Sequence, residues 1–384
     1  MKSIKKNPIL LIVLLSFIQI VHGQQDNGVM SLEEFRFPKK RKSIVVPNVN
    51  GYEVLKCDFH MHTVFTDGHV WPNVRIQEAW KEGLDAISFT EHMEYNPHHQ
   101  DVRVDHNRSH DLAVEPAKEH NIILVKGTEI TRQTPPGHFN ALFIGDASGF
   151  IESNDTTLDQ QAIDKAVDQK AFIFWNHPGW KAKQIKGSYE WIDFVDKMYR
   201  DKKLHGIEVV NGLGFHKKAL DWALDRGLTI IGNTDIHNLI AHDYDIARDG
   251  VHRTMTLVLA KDRSATAIRE ALDVGRTVAW SSKYLFGKEE HVRAMFEACV
   301  SLSEAYHEKS NKGRDTIRYY ELRNNSDLYF ELELTKGKGT KKIILYPMSS
   351  QVLTADIGQT SLTYQLPSTY IRSDKHLSVD LQLR

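Results

Sequence analysis

The chain has 384 residues, 41% of them hydrophobic, and its 49 Lys and Arg against 50 Asp and Glu give a formal net charge of −1. That length suggests about two domains, or one barrel with an addition, and the apolar content is enough for a full core. The even charge balance excludes the basic bulk that nucleic-acid binding requires, and only two cysteines, Cys57 and Cys299, exclude a disulfide framework.

The first residues read as a targeting segment. Lys2, Lys5 and Lys6 precede an apolar run over 8–21 that is too short to span a membrane comfortably. Val21-His22-Gly23 offers a small residue before a cut at Gln24. A short retained anchor is the alternative. Removing residues 1–23 takes away three lysines and no acids, so 46 basic residues would face 50 acidic ones, net −4. Residues 24–50 are polar, with a basic run at 39–42, and read as a leader that packs only in part.

From Gly51 a βα alternation begins. Strand-length apolar runs stand at 54–60, 86–90, 122–125, 139–144, 171–175, 206–210, 229–232, 255–260 and 277–280. Helical patterns lie between many of them, at 75–82, 111–119, 159–169, 189–200, 217–226 and 265–273. The alternation predicts an α/β fold with a mainly parallel sheet, doubly wound or closed as a barrel. After about Leu285 the character changes. Residues 289–306 predict an amphipathic helix whose apolar face carries Val292, Met295, Phe296, Cys299 and Leu302. Residues 316–322 and 328–334, around Asn324-Asn325-Ser326-Asp327, predict a hairpin, and 341–346, 361–366 and 377–383 add strand-like alternation. The domain plan is thus a signal peptide at 1–23, a leader at 24–50, a barrel at 51–285, and a helix with a small β-sandwich-like domain at 286–384. Of the 20 histidines only His291, His307 and His376 fall after 285, so the chemistry belongs to the barrel.

His60 and His62 are two residues apart on the first strand and project from the same face, with Asp67 following. Two imidazoles and a carboxylate make the start of a metal site; a pair of satisfied core histidines is the alternative. Later strands tilt the balance. They end in Glu91-His92, Thr128-Glu129, His177-Pro178 and Asp235-Ile236-His237, while Gly137-His138 stands just before another. Packing alone does not produce this, because buried polar groups must find partners.

The pattern HxH, D, EH, E, H, HP, DxH resembles the PHP family, named for polymerase and histidinol phosphatase, over about residues 54–280. The resemblance implies a distorted (β/α)7 TIM-like barrel that holds two or three divalent ions at the strand C-terminal ends and hydrolyses phosphoesters. It implies that His60, His62, Glu129 and Asp235 hold one ion and that Glu129 bridges to a second with His138 and His177. Asp67, His92 and His237 would hold a third. Glu129, His177 and Asp235 are the implied catalytic centre. Many members carry histidine where Asp67 stands, so the third ion is the one this chain places in question.

The residue chemistry agrees. Three divalent ions against the carboxylates of Asp67, Glu129 and Asp235 leave a site of about +3, suited to an anionic phosphate. Such ions lower the pKa of bound water from about 15.7 toward ~7. Histidine with carboxylate suits Zn, Mn or Fe. Further candidates have two readings each. Asp58 could orient an imidazole or lie at the barrel floor. Arg132 could bind a phosphate oxygen of the substrate or be a solvated loop residue. Glu208 is unusual for a buried strand. Residues 93–110, with His98, His99, Arg103 and His106, could cover the site.

The expected function is an exported, metal-dependent phosphodiesterase acting on small organic phosphodiesters. The diester choice rests on resemblance, since the export signal and appended β domain are similar to bacterial PHP-type phosphodiesterases that act on organophosphate diesters. A phosphomonoesterase of the same family and a metal-dependent amidohydrolase are the alternatives, and a structural barrel beside a binding β domain is a non-enzymatic one. The expected partner is a small phosphoester, with no nucleic acid and no stable membrane insertion after signal cleavage, in the periplasm or outside the cell. The oligomeric state is left open. One outcome checks the localisation directly: exported protein should have a mass that begins at Gln24, and a mass that begins at Met1 would contradict it.

Overall fold

The computed structural model describes residues 40–131, 136–150, 159–180, 189–244, 252–310 and 316–384. From Arg41 onward they form one unit. The strands that carry the candidate site are short and almost wholly buried, as apolar runs covered on both faces must be. They are β1 (Glu53–Asp58), β2 (Ala86–Phe89), β3 (Ile123–Ile130), β4 (Phe139–Leu142), β5 (Phe172–Trp175), β6 (Gly206–Asn211) and β8 (Thr229–Asn233), with the two-residue β7 (Gly214–Phe215) paired outside them on β6. Helices follow most of them: α1 (Pro72–Lys81), α2 (Arg108–Glu119), α3 (Asp159–Asp168), α4 (Asp193–Arg200), α5 (Lys217–Arg226), the short α6 (Ile240–Asp243) and α7 (Ala265–Asp273). Their ends follow local chemistry. Proline opens α1, where its missing N–H costs nothing. Gly227 closes α5 at φ 68°, a left-handed conformation open to glycine. The Ser264 hydroxyl accepts from Ala267 N at 3.1 Å to cap α7.

The strands β1, β2 and β3 are parallel. β4 is antiparallel to both β3 and β5, and β5, β6 and β8 are parallel again. The sheet is therefore mixed. The reversal of β4 puts its N-terminal end, preceded by His138, at the same rim as the C-terminal ends of β3 and β5. Beyond β8, the strand β9 (Met255–Ala260) takes the other edge of β1 in antiparallel fashion, followed by β10 (Thr277–Ser281) and β11 (Tyr284–Gly287). At the rim the ring of seven, β1 to β6 and β8, closes on itself. Met61 bridges Ile236 in parallel, and Asp235 N donates to His60 O at 2.9 Å. Arg75, 1% exposed, locks this closure by donating to the carbonyls of His62, Ile236, His237 and Asn238.

The C-terminal part differs from expectation in two places. The helix α8 (Glu289–Cys299) stops at Cys299, where the chain passes straight into β12 (Val300–Leu302); β-branched Val300 suits a strand better than a helix end. The 316–334 region is not a hairpin. It forms β14 (Ile317–Asn324) and β15 (Phe330–Lys336), which lie in different sheets. β14 pairs with β12, with β13 (His307–Lys309) and with β17 (Ser350–Asp356). β15 pairs with β16 (Lys342–Leu345) and β18 (Ser361–Arg372), and β18 pairs with β19 (Lys375–Gln382). Asn324 makes the crossing, donating to Leu328 O at 2.7 Å and Tyr346 O at 3.0 Å and accepting from Ser326 N at 3.1 Å. The crossing lets the two apolar faces meet, with Tyr320, Leu322 and Leu353 on one side and Phe330, Leu332 and Tyr364 on the other.

This sandwich is tied to the barrel by backbone. β11 pairs in parallel with β18, Leu285 opposite Thr369 and Phe286 opposite Tyr370, so one sheet runs from the barrel into the second domain. Phe286 and Tyr370 stack with centroids 5.2 Å apart, and Phe296 of α8 meets Phe330 edge-on at 5.3 Å. A chain ended after Lys288 would bare the β11 edge and the apolar surface around Phe286, a template for aggregation. We expect such a chain to elute as aggregates in size-exclusion chromatography; a monodisperse barrel would show that the second domain covers nothing the barrel needs.

A candidate metal centre at the strand ends

The sequence-predicted ligands converge at the closed rim of the barrel. His60 and His62 flank Met61 just beyond the end of β1. Their alternation persists because Met61 stays in strand-like pairing with Ile236. His92 and Glu129 form a further parallel bridge that extends β2 and β3. His138 precedes β4, His177 follows β5, and Asp235 and His237 follow β8. Two of these residues hold left-handed backbone, His177 at φ 25° and Asp235 at φ 54°. Such conformations persist where surroundings over-determine them. Here the His177 N–H is held by Glu208 Oε2 at 2.8 Å, and the Asp235 N–H by His60 O at 2.9 Å. Asp67 sits in a loop kept tight by Gly68, where any Cβ would lie 2.6 Å from the carbonyl carbon of His62.

Side chains of these nine residues fall into four groups able to hold an ion: His62, Asp67, His92 and His237; His60, His62 and Asp235; His60, Glu129 and His177; and His92, Glu129 and His138. Glu129, wholly buried, belongs to two groups because its oxygens face different partners. Oε1 lies 2.9 Å from His138 Nδ1 and 3.6 Å from His177 Nε2. Oε2 lies 2.8 Å from His92 Nδ1 and 3.5 Å from His62 Nε2. Asp235 Oδ1 stands 3.1 Å from His60 Nε2 and 3.0 Å from His62 Nε2. Asp67 Oδ2 stands 3.2 Å from both His92 Nε2 and His237 Nε2. His62 thus joins the Asp67 group as well as that of Asp235, and His138 and His177 fall into separate groups. Arg132 lies outside the described residues.

These residues fit divalent ions. His60 Nε2, both ring nitrogens of His62 and Asp67 Oδ1 are buried yet make no hydrogen bond of proper geometry. Buried polar atoms seldom stay unmatched, and ligand atoms gathered within 4.8 Å of one another, with a neutral His62 giving one of its two ring nitrogens, are what an ion requires. The electrostatics agree. Burial disfavours charge on Glu129, but His92, His138 and His60 outweigh it and hold the carboxyl well below its ordinary range. Burial likewise opposes charge on Asp235, and His60 and His62 outweigh it. Burial, with His92 and His237 nearby, takes His62 down to about 4, so it stays neutral, with one ring nitrogen offering a lone pair. Burial opposes charge on His92 too, yet Glu129 and Asp67 lift it to about 10. Protons on imidazole balance the carboxylates here, and metal binding would displace such protons.

Around this set stands a shell that aims it. Glu208, also wholly buried, pairs with His60 Nδ1 at 3.0 Å and accepts from Asn233 Nδ2 and Asn211 Nδ2, each at 2.9 Å. Asp58 takes its orienting role through backbone, accepting from His60 N at 3.3 Å and Thr234 N at 3.2 Å while paired with buried Arg253 at 2.7 Å. Asn176 donates to Glu129 Oε1 at 2.9 Å and to Asn140 Oδ1 at 2.8 Å. Glu91 points away from the cluster and accepts from the hydroxyls of Thr63 and Thr66, pinning the loop of Asp67. The sequence reading gave no role to Arg75, Arg253 or these asparagines. Asn176 and Asn233 did carry a signal, since each stands within two residues of a ligand at a strand end. In the 93–110 segment, Asn96 Nδ2 holds Phe65 O at 2.9 Å, and its histidines enter none of the four groups.

Comparison with known proteins bears on the family. A family model for an Ig-like domain matches residues 300–382. No curated protein matches. The crystal structure of a two-domain protein from Bacteroides vulgatus, containing a predicted PHP-like metal-dependent phosphoesterase, is 41% identical. It covers 90% of this chain and 100% of its own, with a TM-score of 0.84. A Bifidobacterium adolescentis structure described as a metal-dependent phosphoesterase is 16% identical, covering 57% of this chain and 96% of its own at a TM-score of 0.39. A Chromobacterium violaceum amidohydrolase, with bound sulfate and no metal, is 15% identical, covering 47% and 87% at 0.35. Both of these fall below the similarity at which likeness informs on fold. The ligand geometry and the full-length similarity to the Bacteroides protein lead to one conclusion: the chain belongs to the PHP-like metal-dependent phosphoesterases and carries a C-terminal Ig-like domain.

Proposed function

We propose that this phosphoesterase is an exported phosphodiesterase that hydrolyses small organic phosphodiesters with two or three divalent ions drawn from Zn, Mn or Fe. Export is supported by Lys2, Lys5 and Lys6 ahead of the apolar run at 8–21. Among the described residues no helix is long and apolar enough to cross a membrane.

Bound ions would supply Lewis acidity toward phosphoryl oxygens and toward the attacking water. The side chains do the rest. His60, His62, Glu129 and Asp235 would hold one ion, Glu129 would reach a second from between His177 on one side and His138 on the other, and Asp67 with His92 and His237 would hold the third. Glu129, His177 and Asp235 lie at the centre of the set, with His177 Nε2 3.6 Å from Glu129 and 3.8 Å from Asp235. Glu208 fixes the His60 ring and the His177 backbone at once, so two ligands from different strands share one orienting group. Burial of His60, His62 and Glu129 takes them out of bulk water, which strengthens the electrostatic contacts they make. Arg132 is proposed as a phosphate-binding residue.

The diester reading rests on one observation. Two large, half-exposed rings flank the ligands, Tyr95 with its ring 5.8 Å from that of His92 and Trp180 with its ring 5.5 Å from that of His138 and 5.4 Å from that of His177. They flank different ligands, and so offer an apolar surface to each of two organic groups on one phosphorus. Side-by-side assay of the metal-loaded protein should give a higher kcat/KM for bis(p-nitrophenyl) phosphate than for p-nitrophenyl phosphate. Glu129→Ala should lose about one metal equivalent or more and drop in activity by several orders of magnitude. A preference for the monoester would reject the diester reading. Full activity with unchanged metal content in Glu129→Ala would reject the site itself.

A further inference from the structure

A second cavity, of about 400 Å³, lies where the barrel, the 42–44 segment and the Ig-like domain meet. None of the nine candidate ligands lines it. Its floor is Trp280 at the end of β10, stacked on His252 with centroids 4.1 Å apart and planes 17° apart. The indole N–H is already given to Ser282 O at 2.8 Å and the ring is only 3% exposed, so Trp280 closes the cavity as an apolar floor without an open stacking face. Tyr329 and Tyr346 of the Ig-like domain form a wall, edge to face at 5.8 Å, and Tyr346 is 58% exposed. A ring could lie against this wall.

The charges around it are unbalanced. Lys42 and Lys283 both line the cavity, and among the described residues neither has a carboxylate partner. Lys283 Nζ hangs 5.4 Å from the ring of Tyr284 and 5.9 Å from that of Tyr329. The lining carboxylate, Asp327, is already engaged, accepting from Val45 N at 2.6 Å. His252 adds no charge, because burial and the Lys42 ammonium take it down to about 3. Two ammonium groups against the one carboxylate of Asp327 leave the described lining with a net positive charge. Sites that combine apolar walls with a few placed charges bind small molecules in cavities of this size.

We propose that this interdomain cavity binds a small organic anion with a flat apolar body, its ring held against Tyr329 and Tyr346 above the Trp280 floor and its charge between Lys42 and Lys283. Calorimetry on the metal-loaded full chain tests it with three probes: 2-naphthalenesulfonate, the uncharged 2-naphthalenemethanol, and methanesulfonate, which has the charge without the ring. The aromatic sulfonate should bind one to one and at least about tenfold more tightly than either of the others. Lys42→Met with Lys283→Met should weaken it by about tenfold or more and leave the alcohol unchanged. Tyr346→Ala should weaken both aromatic probes. Because both lysines are exposed, their variants keep the fold. Equal affinity for sulfonate and alcohol would overturn the proposal, as would binding that survives loss of both lysines, or no binding at all. Glu129→Ala should keep the site; binding lost in that variant would place the probe at the metal centre and also overturn it.

Discussion

Glu129 has no exposed surface, and five imidazoles, those of His60, His62, His92, His138 and His177, stand within 3.6 Å of its two oxygens. Burying an unpaired carboxylate costs several kcal/mol at least, by roughly any account of ion desolvation. That cost sets the architecture. Four strands, β1, β2, β4 and β5, must deliver five histidines to one point, and one of them must run backward to do it. The reversal of β4 brings His138 to the rim where β3 and β5 end, and a strictly parallel barrel would put that residue at the opposite end. The rim itself is closed by Met61 and Ile236 and held by Arg75, which donates to four carbonyls at the strand ends.

The second constraint is orientation. An imidazole offers one lone pair to an ion only when its other nitrogen is fixed. His60 is fixed by Glu208, His92 by Thr131 at 2.6 Å, and His237 by the carbonyl of Asp235 at 2.7 Å. Glu208 and Asp58 are themselves buried charges, and each is satisfied, one by two asparagines and an imidazole and the other by Arg253 and Thr234. Removing either partner would leave a buried charge alone, which is why such networks are kept whole. The left-handed backbone at His177 and Asp235 belongs to the same economy: strain is held at the ligands by hydrogen bonds from the shell around them.

Much of this could be read in the sequence because the ligands sit at strand ends, and strand ends are marked by where apolar runs stop. His60, His62, Glu129, His177, Asp235 and His237 are all announced in that way. What could not be read falls into two kinds. Long-range partners such as Arg75 and Arg253 come from an ordinary helix and from a loop, and nothing in their neighbours distinguishes them from solvated arginines. Pairing partners are the other kind. Residues 316–334 have the alternation and turn chemistry of a hairpin, yet Asn324 sends the chain across the sandwich, because covering two apolar faces gains more than pairing two neighbours in sequence. The end of α8 shows the same competition, where helical spacing of apolar residues continues to Leu302 but the strand pairing of β12 with β14 wins.

Glu129 as the carboxylate shared between ions is the claim on which the rest depends, and diffraction settles it most directly. Crystals of the metal-loaded protein, measured on either side of the Zn, Fe and Mn absorption edges, should show two or three anomalous peaks enclosed by the nine side chains, with at least two of them against Glu129. A single peak remote from Glu129, or none within the ring of histidines, would contradict the account.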